Sequence, residues 1–317
     1  MSLEKGLFVG KNERDFSTDK DIKRRLISEG QFPEIHSKDY QKRQDISYWT
    51  QRADRRSNDL NEATGVLDAL LEVELPPWAI IALMGDLHFG HPKTDYKRIE
   101  QEVLAIKETK RASVILGGDL VDGMFWGGNS QSEQSANLEE QYRFLNSLVT
   151  ELKGRVIVAV SGEHDSKWAS KTGIDPYILM MELANIPYVR GVAEVSINTG
   201  SQRYDLVTAH KLRGHSMYNN VHPEMRAGKE LQGADIYSGH HTHTKGYSQQ
   251  SIRSFGDSKV VTYISGGPYK NTDDYSDRSG FSKQRTSQLF GHLIQLNPDR
   301  KDVRVDGDII EGLRRWG

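Results

Sequence analysis

The sequence predicts an α/β fold in which a buried sheet is flanked by helices. Three short apolar runs, Ala79 to Met84, Val114 to Leu116 and Val156 to Val160, are typical of buried strands. Helical patterns separate them at Tyr96 to Thr109 and at Leu138 to Leu152. Strands that alternate with helices in this way favour a largely buried sheet with helices on its faces.

Further strands are predicted in the second half of the chain, where helical patterns are fewer. They cover Val192 to Ile197, Tyr204 to Thr208, Ile236 to Ser238, Val260 to Ile264, Leu289 to Leu296 and Val303 to Ile309. We therefore expect a second, more antiparallel sheet. The polar run from Tyr269 to Gln288 predicts a long surface loop, and long loops in compact domains are often functional.

The first 75 residues differ in composition from the rest. They carry 13 Lys and Arg against 15 Asp and Glu, with no long apolar run. Thr18 begins a capping-box pattern for a short helix, and a second helix is predicted from Ser37 to about Leu71. We predict a charged helical extension over residues 1–75 and a main domain over residues 76–317. The extension fits a helical arm better than a DNA-binding module, because it has no basic excess.

Composition excludes several classes of protein. The 317 residues include 42 Lys and Arg, 44 Asp and Glu, 11 His and no cysteine. Disulfide frameworks, thiolate zinc sites, iron–sulfur clusters and thiol nucleophiles are therefore excluded. No run of about 18 apolar residues is present, and residues 1–10 lack the apolar core of a signal peptide, so we expect a cytoplasmic protein with no membrane partner. A net charge of −2 excludes a uniformly basic surface but permits a local basic groove.

Five of the predicted strands end in acidic or histidine residues. These strand ends are Gly85-Asp86-Leu87-His88, Gly117-Gly118-Asp119-Leu120-Val121-Asp122, Ser161-Gly162-Glu163-His164-Asp165, His210 and Gly239-His240-His241-Thr242-His243. Ligands gather outside the carboxyl ends of strands in such sheets, so we expect these loops to converge on one cleft. Asp and His suit Mn²⁺, Fe, Zn²⁺ or Mg²⁺. In an extended turn, residues two apart such as Asp86 and His88 point the same way.

Together these motifs resemble the calcineurin-like metallophosphoesterase superfamily, in order and spacing, over about residues 80–267. The resemblance implies a four-layer αββα sandwich of two mixed β-sheets flanked by helices. It also implies two divalent metal ions about 3.5–4 Å apart, the spacing used in phosphoryl chemistry. We expect Mn²⁺ in preference to Fe, Zn²⁺ or Mg²⁺. The implied ligands of the first ion are Asp86, His88, Asp119 and His243. Asp119 bridges to the second ion, which Glu163, His210 and His241 complete.

The resemblance also implies a mechanism. Two cations lower the pKa of a bridging water, and the resulting hydroxide attacks phosphorus in line with the leaving oxygen. By motif position His164 faces the substrate, where it stabilises charge or protonates the leaving group. Asp122 lies behind the ligands, and Asp165 could orient the His164 ring.

Two positions depart from the family pattern. Glu163 stands where the family usually has Asn, which adds a negative charge and a longer reach but still offers an oxygen ligand. His240 stands where the family usually has the Gly before its His-x-His motif, and we interpret His240 as a bystander. The alternative for Glu163 is a degenerate site that binds without turnover.

The sequence specifies the class of substrate less closely than it specifies the metal ligands. Asp122 is followed by Gly123 rather than by the Arg of phosphoprotein phosphatases, which argues against a Ser/Thr protein phosphatase. The basic tract at Lys211, Arg213 and His215 suits a polyanion such as nucleic acid, although it is equally typical of a solvated loop. In residue composition this tract resembles phage- and prophage-encoded members of the superfamily and its nuclease-like branch.

We therefore predict a phosphodiesterase or nuclease. The alternatives are a phosphomonoesterase or cyclic-nucleotide phosphodiesterase, and a non-catalytic binding or assembly protein.

Four aromatic residues are candidates for stacking on nucleobases, although each is more typical of packing: Trp126, Trp168, Tyr218 and Tyr269.

Overall fold

The computed structural model describes residues 34–37, 46–47, 50–51, 68–123, 134–254, 257–271 and 288–317. The predicted helix that begins at Thr18, Trp126 and most of the predicted loop after Tyr269 lie outside the described residues. Within them the strands are β1 (Glu34–Ser37), β2 (Asp68–Leu75), β3 (Ile80–Met84), β4 (Ala112–Leu116), β5 (Val156–Val160), β6 (Tyr188–Val189), β7 (Val192–Thr199), β8 (Gln202–Ala209), β9 (Ile236–Gly239), β10 (Gly246–Ser254), β11 (Asp257–Ser265), β12 (His292–Leu296) and β13 (Val303–Asp306). The helices of eight or more residues are α1 (Tyr96–Glu108), α2 (Leu138–Glu151), α3 (Glu163–Thr172), α4 (Pro176–Ala184), α5 (His222–Glu230) and α6 (Ile309–Trp316).

The first sheet has six strands in the order β13-β12-β3-β4-β5-β6. Its strands β3 to β6 pair in parallel, and β12 adds to β3 in antiparallel orientation. Every residue of β3, β4 and β5 is buried, as expected for parallel strands covered on both faces. The predicted succession of three buried strands and two helices is confirmed.

The second sheet has seven strands in the order β1-β2-β7-β8-β9-β11-β10. It is mixed rather than mainly antiparallel, because β2 pairs in parallel with β7 and β9 pairs in parallel with both β8 and β11. The two sheets share one apolar core, to which Ile81 and Ile157 contribute from the first sheet and Val195 and Ile236 from the second.

Helices cover the outer faces of both sheets. A second core lies between the six-stranded sheet and α1, α2, α4 and α6. A smaller third core packs α5 against the seven-stranded sheet. Local sequence sets the helix ends: Asn137 and Glu140 form a capping box at α2, and Asp175 caps α4 ahead of Pro176. The predicted α/β fold of two mixed sheets flanked by helices is confirmed.

The helix predicted from Ser37 to about Leu71 is wrong at both ends. Ser37 ends β1, and residues 68–71 begin β2 within the seven-stranded sheet. The side chains of Leu71 and Val73 are buried, whereas Leu70 is exposed. This alternation has the period of a strand, which the apparent leucine stripe concealed. Residues 68–75 therefore belong to a sheet of the main domain rather than to a helical extension.

Three further differences lie in the last third of the chain. Strand β10 was not predicted because its residues, GYSQQSIRS, are mostly polar, as is usual for an edge strand. The strand predicted to reach Ile309 ends at Asp306, and Ile309 instead begins α6 behind the Asp308 cap. Strands β12 and β13 also join the first sheet rather than the second.

Candidate metal centre

The loops that follow five strands meet at one edge shared by the two sheets. Backbone hydrogen bonds link the first two loops, since Asp86 N donates to Gly118 O (2.9 Å) and His88 N donates to Asp119 O (3.0 Å). The third loop joins them through His164 N, which donates to Asp119 Oδ1 (2.8 Å). The predicted convergence of the strand ends on one site is thus seen in the geometry.

Six of the seven predicted metal ligands lie in tight groups. Each group offers three side-chain ligand atoms that lie within 4.8 Å of one another. The groups are Asp86 with His88 and His243, Asp119 with His88 and His164, and Asp119 with His210 and His241. Asp119 therefore faces both ends of the cluster.

Short distances define the two ends of the cluster. At the first, the Nε2 atoms of His88 and His243 are 3.1 Å apart, and His243 Nε2 lies 3.5 Å from Asp86 Oδ1. At the second, His210 Nε2 lies 3.3 Å from Asp119 Oδ2. His88 Nε2 is 3.9 Å from the same Asp119 oxygen.

The backbone at five of these residues is left-handed. The φ angles are 51° at Asp86, 44° at His88, 49° at Asp119, 68° at His241 and 54° at His243. Each such residue costs about 1–3 kcal/mol, and strain of this kind clusters at functional sites. Left-handed turns, rather than the alternation of an extended turn, therefore bring these side chains together.

Hydrogen bonds behind the rings orient their Nε2 atoms toward the cluster. His88 Nδ1 contacts Asp122 Oδ1 at 3.1 Å, and His210 Nδ1 donates to the carbonyl oxygen of Gly117 (2.8 Å). A carboxylate or carbonyl oxygen only accepts, so Nδ1 carries a proton in both rings and Nε2 is the nitrogen that would bind a cation in place of its own proton. Asp122 thus lies behind a candidate ligand, where the family resemblance put it.

The donor set fits divalent cations. Asp86 Oδ1 and His210 Nε2 are buried and make no hydrogen bond of acceptable geometry within the described part of the chain. Burial opposes ionisation of Asp86, yet His243 and His210 lower the pKa of Asp86 well below its usual value. Burial likewise opposes protonation of His210, yet Asp119 raises the pKa of His210 to about 10. Positive charge is therefore stabilised between these carboxylates, as a metal ion would be.

Glu163 stands apart from the tight groups. Its side chain is 43% exposed, and its carboxylate lies 3.8 Å from His241 Nδ1 on one side and 3.8 Å from Lys211 Nζ on the other. The carboxylate of this longer side chain lies between His241 and Lys211, outside the tight groups and in contact with solvent.

Asp165 has a different role from the predicted one. Its carboxylate accepts hydrogen bonds from the backbone amides of Asp119, Leu120 and Gly162 (2.8, 3.2 and 2.9 Å). It thus ties the loop after β4 to the loop after β5. The His164 ring is instead held by Asp122, whose carbonyl oxygen accepts from His164 Nδ1 at 2.5 Å.

His240 lies outside the tight groups but packs beneath them. Its ring is almost fully buried beneath the cluster, and its Nδ1 lies 3.7 Å from Asp86 Oδ2. A Cβ atom at Gly85, Gly117 or Gly266 would overlap this ring. Three glycines from three separate loops therefore make the space that His240 fills. Near His240 the sequence shows only that Gly239 precedes it. The three glycines that surround the ring lie elsewhere in the chain, so the sequence around His240 does not predict this packing.

The predicted substrate residues lie on the rim of the cluster. Lys211, Arg213 and His215 are exposed in the loop after β8. Among the aromatic candidates, Tyr218 is exposed, whereas Tyr269 is fully buried and donates from its hydroxyl to Glu102. A further cation, Lys270, is buried near His88 and was not predicted; its charge adds to burial in lowering the pKa of His88.

Comparison with known proteins identifies the family. The model of the calcineurin-like phosphoesterase family matches residues 80–267, the segment that contains every tight group. The chain belongs to the calcineurin-like phosphoesterase family. This phosphoesterase is accordingly a metal-dependent phosphoester hydrolase, and its candidate groups support divalent metal ions. No curated protein sequence matches the chain.

Several solved structures are distantly similar to the phosphoesterase. A metallophosphoesterase from Sphaerobacter thermophilus is 14% identical, with a TM-score of 0.35 over 72% of this chain and 87% of that one. The nuclease MPE of Pseudomonas putida is 12% identical, with a TM-score of 0.32 over 71% and 87%. Zinc-bound Vps29 from Entamoeba histolytica is 11% identical, with a TM-score of 0.34 over 72% and 97%.

No helix among the described residues is long and apolar enough to cross a membrane.

Proposed function

We propose that this phosphoesterase is a dinuclear phosphodiesterase that acts on nucleic acid, with Mn²⁺ as its preferred ion. The single observation that carries the dinuclear assignment is the position of Asp119, whose carboxylate belongs to one group with His88 and to another with His210. In this proposal Asp86, His88 and His243 complete one position, and His210, His241 and Glu163 complete the other. Two ions held there would lower the pKa of a water molecule and offset negative charge on the phosphate.

The remaining chemistry falls to His164. Because Asp122 O accepts from Nδ1, the Nε2 atom of His164 faces the cluster, 3.9 Å from Asp119 Oδ2. In its cationic form the ring can donate from Nε2 to the leaving oxygen, or stabilise the charge that develops there. Asp122 is then a positioning residue, since it holds both the His164 ring and the His88 ring.

The exposed basic residues after β8 support the proposal that the substrate is a phosphodiester and a nucleic acid. Lys211 lies 3.8 Å from the Glu163 carboxylate, and Arg213 and His215 are exposed further along the same loop. Cations beside a phosphoryl site suit a substrate with further phosphates on either side of the reacting one.

The test is a side-by-side assay with Mn²⁺ on single-stranded DNA, duplex DNA, a cyclic nucleotide and a phosphomonoester, with Asp119→Asn as the control for contaminating nucleases. We expect the highest kcat/KM on DNA. A preference for the cyclic nucleotide or the monoester would replace the proposal with the small-molecule alternative.

One observation favours a second candidate, a binding protein without turnover: Glu163 is half-exposed and lies outside the tight groups. Binding of Mn²⁺ without hydrolysis of any of the four substrates would support it and contradict a phosphodiesterase.

A further inference from the structure

An exposed aromatic ring stands at the tip of the loop that connects β8 with α5, residues 211–221, which we call the rim loop. The side chain of Tyr218 is 96% exposed, and its neighbour Met217 is 84% exposed. Single exposed apolar side chains are common on protein surfaces and need no function. The position of this pair, however, distinguishes it from the others.

Both ends of the rim loop are anchored at the metal centre. At the start, Lys211 Nζ lies 3.8 Å from the Glu163 carboxylate. At the end, Asn220 Nδ2 donates to the carbonyl oxygen of Lys245 (2.9 Å), which follows the candidate ligand His243 by two residues. Each end of the rim loop therefore contacts a loop that carries a candidate ligand.

The rim loop also has a defined shape. Leu212 and Val221 are buried at its two ends. The Asn219 side chain accepts from Val221 N (3.1 Å), and Tyr218 N donates to Ser216 Oγ (3.2 Å). These two hydrogen bonds shape the turn that carries the ring.

The rim loop carries both cations and an aromatic ring. Lys211 and Arg213 precede Tyr218 in the loop, and all three side chains are exposed. Proteins bind single-stranded nucleic acid with the same combination, in which cations follow the phosphates and aromatic rings stack on the bases. A paired base in a duplex is already stacked on both faces and does not offer its face to such a ring.

We propose that Tyr218 is a stacking site for a base close to the scissile phosphate of single-stranded nucleic acid, an inference that rests on the proposed function. The phosphate of that nucleotide lies at the metal centre, the adjoining phosphates contact Lys211 and Arg213, and the base lies on the Tyr218 ring. The occupant is a nucleobase, because the ring stands on a loop that also carries two exposed cations and directly follows the candidate ligand His210.

The experiment compares two single-stranded DNA oligomers of equal length and charge, one with bases and one fully abasic. Their kcat/KM values are measured for the wild type, Tyr218→Ala, Tyr218→Phe and Leu183→Ala. Leu183 is the matched control, because it is 86% exposed but lies on α4. Binding of both oligomers to each variant is measured in parallel by fluorescence anisotropy.

We expect the wild type to prefer the oligomer with bases, and Tyr218→Ala to reduce that preference about tenfold, the usual size of one stacking contact. Tyr218→Phe keeps the ring and should keep the preference, as should Leu183→Ala. An unchanged preference in Tyr218→Ala would overturn the stacking site while leaving the nucleic-acid function intact. If the wild type hydrolyses bis-p-nitrophenyl phosphate but neither binds nor cleaves either oligomer, the proposed function fails, and the stacking site fails with it.

Discussion

The two sheets contribute unlike halves to the metal centre. The six-stranded sheet supplies Asp86 and Asp119, both fully buried and each held by a backbone amide from another loop. The seven-stranded sheet supplies only imidazoles, and two of these, His241 and His243, are 23% and 28% exposed. The two buried carboxylates are therefore preformed, whereas His241 and His243 lie, together with Glu163, on the side of the site that meets solvent.

The difference follows from the strands behind each half. Strands β3, β4 and β5 are parallel and buried on both faces, so the loops at their ends have little freedom. The residues His241 and His243 lie instead on the connection from β9 to the edge strand β10. A phosphoesterase of this design should tolerate change on the solvent side better than on the acidic side.

Asp119→Asn should have the largest effect, because Asp119 serves both ends of the cluster. A neutral amide cannot hold two cations, so we expect kcat/KM on bis-p-nitrophenyl phosphate with Mn²⁺ to fall about 10²–10³-fold or more. The number of Mn²⁺ ions bound per chain, measured by equilibrium dialysis, should fall as well. The exposed Asp299→Asn is the control, and wild-type activity in Asp119→Asn would reject the shared position.

His240→Ala should weaken the packing between the two halves without replacing a candidate ligand, and it removes a ring that lies 3.7 Å from Asp86 Oδ2. Removing the ring leaves a cavity among Gly85, Gly117 and Gly266, and we expect the free energy of unfolding to fall by about 2–4 kcal/mol. Denaturant unfolding of EDTA-treated protein measures this without any contribution from metal. The exposed His215→Ala should leave the unfolding energy unchanged. Equal stability of the two variants would show that the ring does not join the halves.

Glu224→Gln should change how stability depends on pH on the imidazole side. Burial raises the pKa of Glu224 from about 4.5 to about 8 in the folded protein. The unfolded carboxyl has lost its proton over this range while the folded one keeps it, so stability falls as pH rises from 4.5 to 8, by up to about 1.4 kcal/mol per pH unit. Thermal midpoints measured across this range should decline less steeply in Glu224→Gln. The exposed Glu182→Gln should keep the wild-type slope, and a shared slope for all three proteins would contradict the assignment to Glu224.

Glu163→Asn should have the smallest effect on activity. It tests the contact between Glu163, from the loop after β5, and His241, from the loop after β9. The change restores the usual family ligand and removes a negative charge beside His241, so we expect activity with Mn²⁺ to be retained or raised by up to about tenfold. Glu163→Ala, which offers no oxygen, should be less active than Glu163→Asn. Complete loss of activity in Glu163→Asn would show that the carboxylate has a role of its own.

Much of the six-stranded sheet was predictable from sequence, because its strands are short apolar runs buried on both faces. Strand β2 and edge strand β10 were not, because one resembles a leucine stripe and the other is polar. The candidate ligands were identifiable since they directly follow strands. The role of Asp165 was assigned wrongly because its partners are backbone amides, which leave no trace in the side-chain pattern.

The sequence by itself determined the buried strands, the acidic and histidine residues at their ends and the family to which they belong. These are local properties, set by burial and by residues adjacent in the chain. Only the tertiary structure decided how Asp86 and His243, which are far apart in the chain, come within 3.5 Å, and how three glycines make room for His240. Such contacts join loops from different sheets, and no single segment encodes the shape of the space that another segment leaves for it.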